Sequence, residues 1–261
     1  MSTSALRLAL VQQASSLDAA ENRDAMSGLA DKLEDDTGLA ILPEVFMRDF
    51  GSAGSDVGEY AEPLDGRFVH ALTRLAKERG TTVVGGMFEQ SDDPHRPYNT
   101  LAVVDRDGLR ASYRKIHLYD SFGYKESDQL LAGPLEPALV DVGGFTVGLM
   151  TCYDLRFPEL ARELVRRGAE LLVVPAAWVA GPGKVHHWRT LAIARAIENT
   201  VYVAAVGQPG PRYTGHSLVV GPAGEVVAEL GDGEHVLAAT IDRESLEQAR
   251  STNPSLANRR F

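Results

Sequence analysis

Cysteine is all but missing from this chain, with one residue, Cys152, in 261. A single thiol can close no internal disulfide, which fits a reducing compartment and leaves Cys152 to packing or to chemistry. Positive charge is also in deficit. Lys and Arg number 26 against 36 Asp and Glu, a formal net charge of -10, so no basic surplus exists to neutralise nucleic-acid phosphates or an anionic membrane surface. Long apolar runs are lacking too. The longest, "LLVVPAAWVAG", is too short to cross a bilayer, and "MSTSALRLALVQQ" reaches polar glutamines before a signal-peptide core or cleavage site could form. The expectation is a cytoplasmic protein with no nucleic acid and no membrane among its partners, acting on small molecules or other proteins. No linker rich in Pro, Gly or Ser and no charge run divides the chain, so residues 1–261 are expected to form a single domain.

What is present is the composition of a globular protein, 44% hydrophobic and 24% charged, enough for a substantial core. Short runs rich in Val, Leu and Ile read as strands: "ALRLALVQQ", "GLAILP", "TTVVGGMFE", "YNTLAVVD", "LRASYRK", "FTVGLMT", "LLVVP", "TVYVAAV", "HSLVVG" and "EVVAEL". Amphipathic segments at 18–34, 66–79, 156–167 and 186–198 read as helices. In the second of these, Phe68, Val69, Leu72, Leu75 and Ala76 recur at three-and-four spacing before Gly80 stops the helix. "DRDG" and "GPAG" mark hairpins. Helix-separated strands pair in parallel and hairpins pair antiparallel, so mixed sheets are expected.

The order of elements repeats. Each round runs strand, helix, a strand ending in "LP" or "VP", helix, strand and hairpin, and the second begins at Phe145. Two pseudo-equivalent halves facing each other would make an α/β, four-layer α-β-β-α sandwich with two mixed β-sheets and internal pseudo-duplication. Ligands of open α/β sheets bind beyond the carboxyl ends of strands, which singles out Glu44 after "AILP", Cys152 after "FTVGLMT" and Trp178 soon after "LLVVP".

Cys152 is followed by "YDLRFPEL", whose Pro158 and Glu159 suit the first turn of a helix, and a helix N-terminus favours a thiolate. A thiol nucleophile needs a proton acceptor. None of His70, His95, His117, His186, His187, His216 and His235 sits in a setting that singles it out. A carboxylate serves instead when burial raises its pKa. Glu44, between Pro43 and the apolar Val45 and Phe46, fits, although a glutamate there can also cap a helix or pair with Arg48. Lys115 in "SYRKIHLYD" could stabilise a carbonyl oxygen that becomes negative, or be a strand-edge lysine; Arg114 beside it should face the opposite way.

Together "LPEVF", "YRKIHLYD", "KESDQLLAG", "MTCYDLRFPEL" and "RAIEN" resemble the nitrilase, or carbon-nitrogen hydrolase, superfamily, in the branch of ω-amidases and deaminated glutathione amidases. The resemblance runs from "ALRLALVQQ" to the closing "NRR". It implies the four-layer sandwich, a homodimer, and catalysis with no metal and no organic cofactor. Carried over by motif, it implies Cys152 as nucleophile, Glu44 as general base and later acid, Lys115 as oxyanion stabiliser, and Glu126 in "KESD" as the residue orienting lysine or substrate. The backbone N–H of Tyr153 would join Lys115 in holding the oxyanion.

Tyr153 and Asp154 after the cysteine match the amidase side, whereas nitrile-cleaving relatives carry Trp-Glu. The expected activity is cleavage of a small, carboxylate-bearing amide through a thioester on Cys152. Arg156, Lys125, Lys184 and Arg212 are candidates for the distal carboxylate, with an ion pair to Asp154 or Glu159 as the alternative for Arg156. The loop "WVAGPGKVHHW", longer than the relatives' "TGPAHW"-like stretch, is expected to shape the pocket together with Trp178. A nitrilase, an N-carbamoyl amidohydrolase, an acyltransferase, a non-catalytic binding protein of this fold, and an unrelated Cys-His hydrolase stand as competing readings.

Overall fold

The computed structural model describes residues 5–260; residues 1–4 and 261, which the single-domain expectation included, lie outside the described residues. The first half runs β1 (Ala5–Gln12), α1 (Ala19–Leu29), β2 (Leu39–Ile41), α2 (Arg67–Arg79), β3 (Thr82–Glu89), β4 (Tyr98–Asp105), β5 (Gly108–Arg114), the small hairpin of β6 (Asp120–Ser121) and β7 (Tyr124–Lys125), and β8 (Leu139–Val142). The second runs β9 (Phe145–Leu149), α3 (Pro158–Arg166), β10 (Leu171–Ala176), α4 (Lys184–Asn199), β11 (Tyr202–Gly207), β12 (Leu218–Val220), β13 (Val226–Glu229), β14 (His235–Asp242) and α5 (Arg243–Thr252).

The local rules hold where the pattern is strong. In α2 the residues Phe68, Val69, Leu72, Leu75 and Ala76 are all buried, each large side chain contributing about 1.5–3 kcal/mol of burial. Gly80, at φ 64°, ends the helix with its N–H on the Ala76 carbonyl. Strand alternation sorts β1 in the same way. Leu8 and Leu10 face the second sheet, sharing a cluster with Val147, Leu149 and Val173, whereas Ala9 and Val11 face Met26, Leu29, Phe68 and Leu72 of the helices.

Two mixed sheets result, ordered β14-β1-β2-β3-β4-β5 and β13-β12-β11-β10-β9-β8. α1 and α2 cover the first, and α3 and α4 cover the second. Both hairpins expected from sequence form, β4 with β5 and β12 with β13. The duplication is deeper than the sequence indicated. β8, from the first half, pairs antiparallel with β9, and β14, from the second, pairs antiparallel with β1. Each sheet thus receives its sixth strand from the opposite half.

β8, β14 and α5 have no counterpart among the expected elements, for physical reasons. β8 has four residues and an exposed aspartate; β14 is an edge strand without clean alternation; α5 buries only Leu246. α1 stops at Leu29 and tightens into a 3-10 turn, Ala30–Lys32, short of the expected 34.

Gly86 of β3 shows how closely the chain passes itself near the carboxyl ends of the strands. A Cβ there would lie 2.3 Å from the nitrogen of Val45 and 2.9 Å from the Cα of Glu44. We expect Gly86→Ala to destabilise the protein by about 1–3 kcal/mol in denaturant titration, as overpacked cores do, and to displace Glu44.

Candidate active site

Glu44, Lys115, Glu126 and Cys152 meet in one buried place, none more than 7% exposed. They arrive from four chain segments. Glu44 lies three residues beyond β2, in a turn that hugs β3 through the Met47 N–H on the Gly86 carbonyl. Lys115 is the first residue after β5, Glu126 follows β7, and Cys152 begins a 3-10 turn, Cys152–Arg156, beyond β9.

The Lys115 ammonium donates to Glu44 Oε1 at 2.9 Å and to Glu126 Oε2 and Oε1 at 2.9 and 3.1 Å. Glu44 Oε1 also accepts from Asn99 Nδ2 at 2.7 Å, and Oε2 accepts the Ala177 N–H, beyond β10, at 2.6 Å. Glu126 Oε2 accepts the Tyr119 N–H at 2.6 Å. The backbone carbonyl of Glu44 is held by Gln208 Nε2 at 2.9 Å, so residues of both halves fix it.

Burial alone would strip the charge from Lys115, yet Glu126 and then Glu44 outweigh it and hold the ammonium well above its ordinary range. Burial pushes the Glu126 carboxyl up, with Lys115 opposing in part. Burial, and next the charge of Glu44, push the Cys152 thiol well above the usual thiol range. The thiolate expected from a helix N-terminus is therefore overruled. α3 starts only at Pro158, and desolvation beside a carboxylate favours the neutral thiol.

Cys152 sits at φ 47°, in the left-handed region that projects its side chain from a tight turn. Asp154, fully buried, braces that turn. It accepts from the Thr151 N–H at 2.9 Å, the Tyr113 hydroxyl at 2.7 Å and the His117 N–H at 3.1 Å, with His117 Nδ1 at 2.7 Å. The carboxylate is occupied on both oxygens, so the proposed ion pair with Arg156 does not form. His117, stacked on Phe157 at 3.7 Å, is turned to Asp154.

The four groups open into a cavity of about 420 Å³ walled by Tyr119, Phe122, Tyr153, Trp178 and Tyr213. Trp178 donates its indole N–H to the Lys184 carbonyl at 3.0 Å and forms one wall, with the Arg156 guanidinium 4.9 Å from its ring. Lys184 Nζ lies 3.8 Å from the Phe122 ring and donates to the Tyr119 hydroxyl at 3.1 Å. Of the four cations expected for a carboxylate, Arg212 is neutralised by Asp49 at 2.9 Å and Lys125 stands outside the cavity, 3.9 Å from Asp128. Arg156 and Lys184 have no carboxylate within ion-pair distance among the described residues. Burial, then Arg156, lowers the Lys184 ammonium below its ordinary range.

A sequence model of the carbon-nitrogen hydrolases matches residues 7–251. The chain belongs to the carbon-nitrogen hydrolase family. Among its relatives, a deaminated glutathione amidase of Escherichia coli O157:H7 is 41% identical over 234 residues, 89% of this chain and 88% of that one. An omega-amidase of Xenopus laevis is 37% identical over 233 residues, 85% and 83% of the two chains. A CN-hydrolase superfamily protein from Xanthomonas campestris, carrying an arsenic adduct in its active site, superposes with TM-score 0.88 at 31% identity over 98% of both chains. A mutant amidase from Nesterenkonia sp. AN1 in complex with acrylamide superposes with TM-score 0.80 at 29% identity over 95% of both. This carbon-nitrogen hydrolase is thus an enzyme of the amidase type, with the α-β-β-α architecture its sequence implied.

Sequence reasoning brought Glu44, Lys115, Glu126 and Cys152 into one list, and the fold of this hydrolase brings their side chains together. It missed Asn99, Asp154 as the brace, and the wall residues Tyr119 and Phe122. The only sign of Asn99 was a polar residue opening the apolar strand "YNTLAVVD". Among the described residues no cluster of three His, Cys, Asp or Glu side chains has metal-binding spacing.

With the thiol protonated at rest, methylthiolation of Cys152 by the small neutral reagent methyl methanethiosulfonate, which forms a mixed disulfide and releases methanesulfinate, should stay slow at neutral pH and rise only well above the usual thiol range. Because the Glu44 charge raises the thiol, Glu44→Gln should move that inflection to lower pH; an unmoved inflection would separate the two groups electrostatically.

Proposed function

We propose that this hydrolase cleaves the C–N bond of a small linear amide bearing a distal carboxylate, through a thioester on Cys152. The observation that carries the reading is one ammonium, Lys115, held by Glu44 and Glu126 beside a buried thiol in a cavity with two cations that have no carboxylate partner among the described residues. Glu44 takes the Sγ proton as sulfur bonds to the amide carbon. The carbonyl oxygen becomes negative and is held by Lys115 Nζ and the Tyr153 N–H, which lies in the first turn of Cys152–Arg156 where backbone donors lack partners within the turn.

Glu44 then gives its proton to the departing nitrogen, and the C–N bond breaks to release ammonia or an amine. Water, losing a proton to Glu44, attacks the thioester; the C–S bond breaks, the acid leaves, and the proton returns to sulfur. Glu126 fixes Lys115 throughout. Arg156 and Lys184 take the distal carboxylate, whose charge relieves the repulsion between them. Relatives named for deaminated glutathione and for ω-amides support a keto-acid amide as substrate. A single catalytic domain, working in the cytoplasm as a homodimer, completes the reading on the strength of the lone cysteine and the family resemblance.

The test is intact-protein mass spectrometry with α-ketoglutaramate and deaminated glutathione, with ammonia or amine release followed in parallel. A substrate-dependent acyl adduct on wild type, absent from Cys152→Ala, is expected; turnover without any adduct at any time would rule out the thioester. Glu44→Gln should lower kcat about 10²–10⁴-fold, the usual worth of a general base, whereas a Cys-His enzyme would keep most of its activity.

Arg156→Met and Lys184→Met should each raise KM for an anionic amide about 10–100-fold, the range for hydrogen bonds to charged groups, with little effect on a neutral amide. Equal loss on both substrates would remove these cations from carboxylate recognition.

A further inference from the structure

Asn99 touches three of the four buried groups of the site through its own hydrogen bonds. It is the second residue of β4 and fully buried. Its backbone carbonyl accepts the Lys115 N–H at 2.8 Å, and its amide nitrogen donates to Glu44 Oε1 at 2.7 Å and reaches Glu126 Oε1 at 3.4 Å. Ionised carboxylates only accept, so the nitrogen must face them and the amide oxygen must turn away. That oxygen is buried and has no hydrogen-bond partner among the described residues. A side chain selected for packing would avoid this, since a leucine of similar volume leaves no polar atom unpaired.

We propose that Asn99 is a positioning residue that holds the Glu44 carboxylate aimed at Cys152 by giving it a neutral donor distinct from Lys115. Charge is the reason. Glu44 and Glu126 share one ammonium, each 2.9 Å from it, and like charges at such a site drive one carboxyl to protonate. A second cation between them would compete with Lys115 for the oxyanion. An amide N–H reduces the repulsion without that competition.

Geometry adds to this. Lys115 and Asn99 hold Glu44 Oε1 while Ala177 holds Oε2, so the carboxylate has one orientation before and after it carries the proton. The inference rests on Glu44 as general base, as proposed above.

The test compares wild type, Asn99→Ala, Asn99→Asp and Glu44→Gln for kcat, KM and the pH profile of kcat/KM on the amide, with a thermal melt of each. Asn99→Ala should lower kcat about 10–100-fold, the range for a hydrogen bond to a charged group, and leave KM within about twofold. The acid limb of its profile should move to higher pH, because a donor to the ionised form is gone. Asn99→Asp, matched in size and so the comparison if the alanine variant does not fold, should lose at least as much activity. Wild-type kcat in either variant, or a fall in kcat with the acid limb unmoved, overturns the proposal. Activity retained by Glu44→Gln would instead defeat the general-base reading itself.

Discussion

One ammonium buried between two carboxylates is the constraint on which the rest of this structure depends. Lys115, Glu44 and Glu126 are each at most 2% exposed, and removing three charges from water is tolerable only where their hydrogen-bonding atoms find partners. The Lys115 hydrogens go to the two carboxylates; the carboxylates collect Asn99, the Ala177 N–H and the Tyr119 N–H. Burial, and next the charge of Glu44, hold the proton on Cys152, so in the proposed reaction proton transfer and attack are linked by the electrostatics of the site.

Such a cluster needs a scaffold that holds independent chain segments to tenths of an ångström. Here the scaffold is the pair of sheets. Glu44 belongs to the first half, yet its side chain is held by Ala177 and its carbonyl by Gln208 of the second. Other cross-links work alike: Gln12 Oε1 accepts the Ser217 N–H at 2.8 Å, and Asp49 accepts from the Tyr213 hydroxyl at 2.7 Å. The exchange of β8 and β14 between the sheets makes the halves hard to separate, which suits a site assembled from both.

The outer cavity follows a different rule. Asp49 neutralises Arg212, whereas Arg156 and Lys184 face the cavity over aromatic rings with no acid beside them among the described residues. Two like charges kept close and partly desolvated repel each other. In the proposed function the substrate's carboxylate supplies the missing charge, so recognition and relief of repulsion are the same event.

Much was legible in the order of residues. Alternation and turn signals gave most strands, three-and-four spacing gave α2, and local motifs named Glu44, Lys115, Glu126 and Cys152, because strand, helix and motif signals are local. β14 and α5 were illegible because their faces are stabilised by what they dock on. The sequence by itself determined most of the elements, the repeat and the list of candidate groups. Tertiary structure alone decided that Asp154 braces the turn of Cys152 instead of pairing with Arg156, that the thiol is neutral at rest, and that Asn99 joins the carboxylates. Each depends on burial and on partners tens to over a hundred residues away, and neither desolvation nor a long-range hydrogen bond is written in any short stretch of chain.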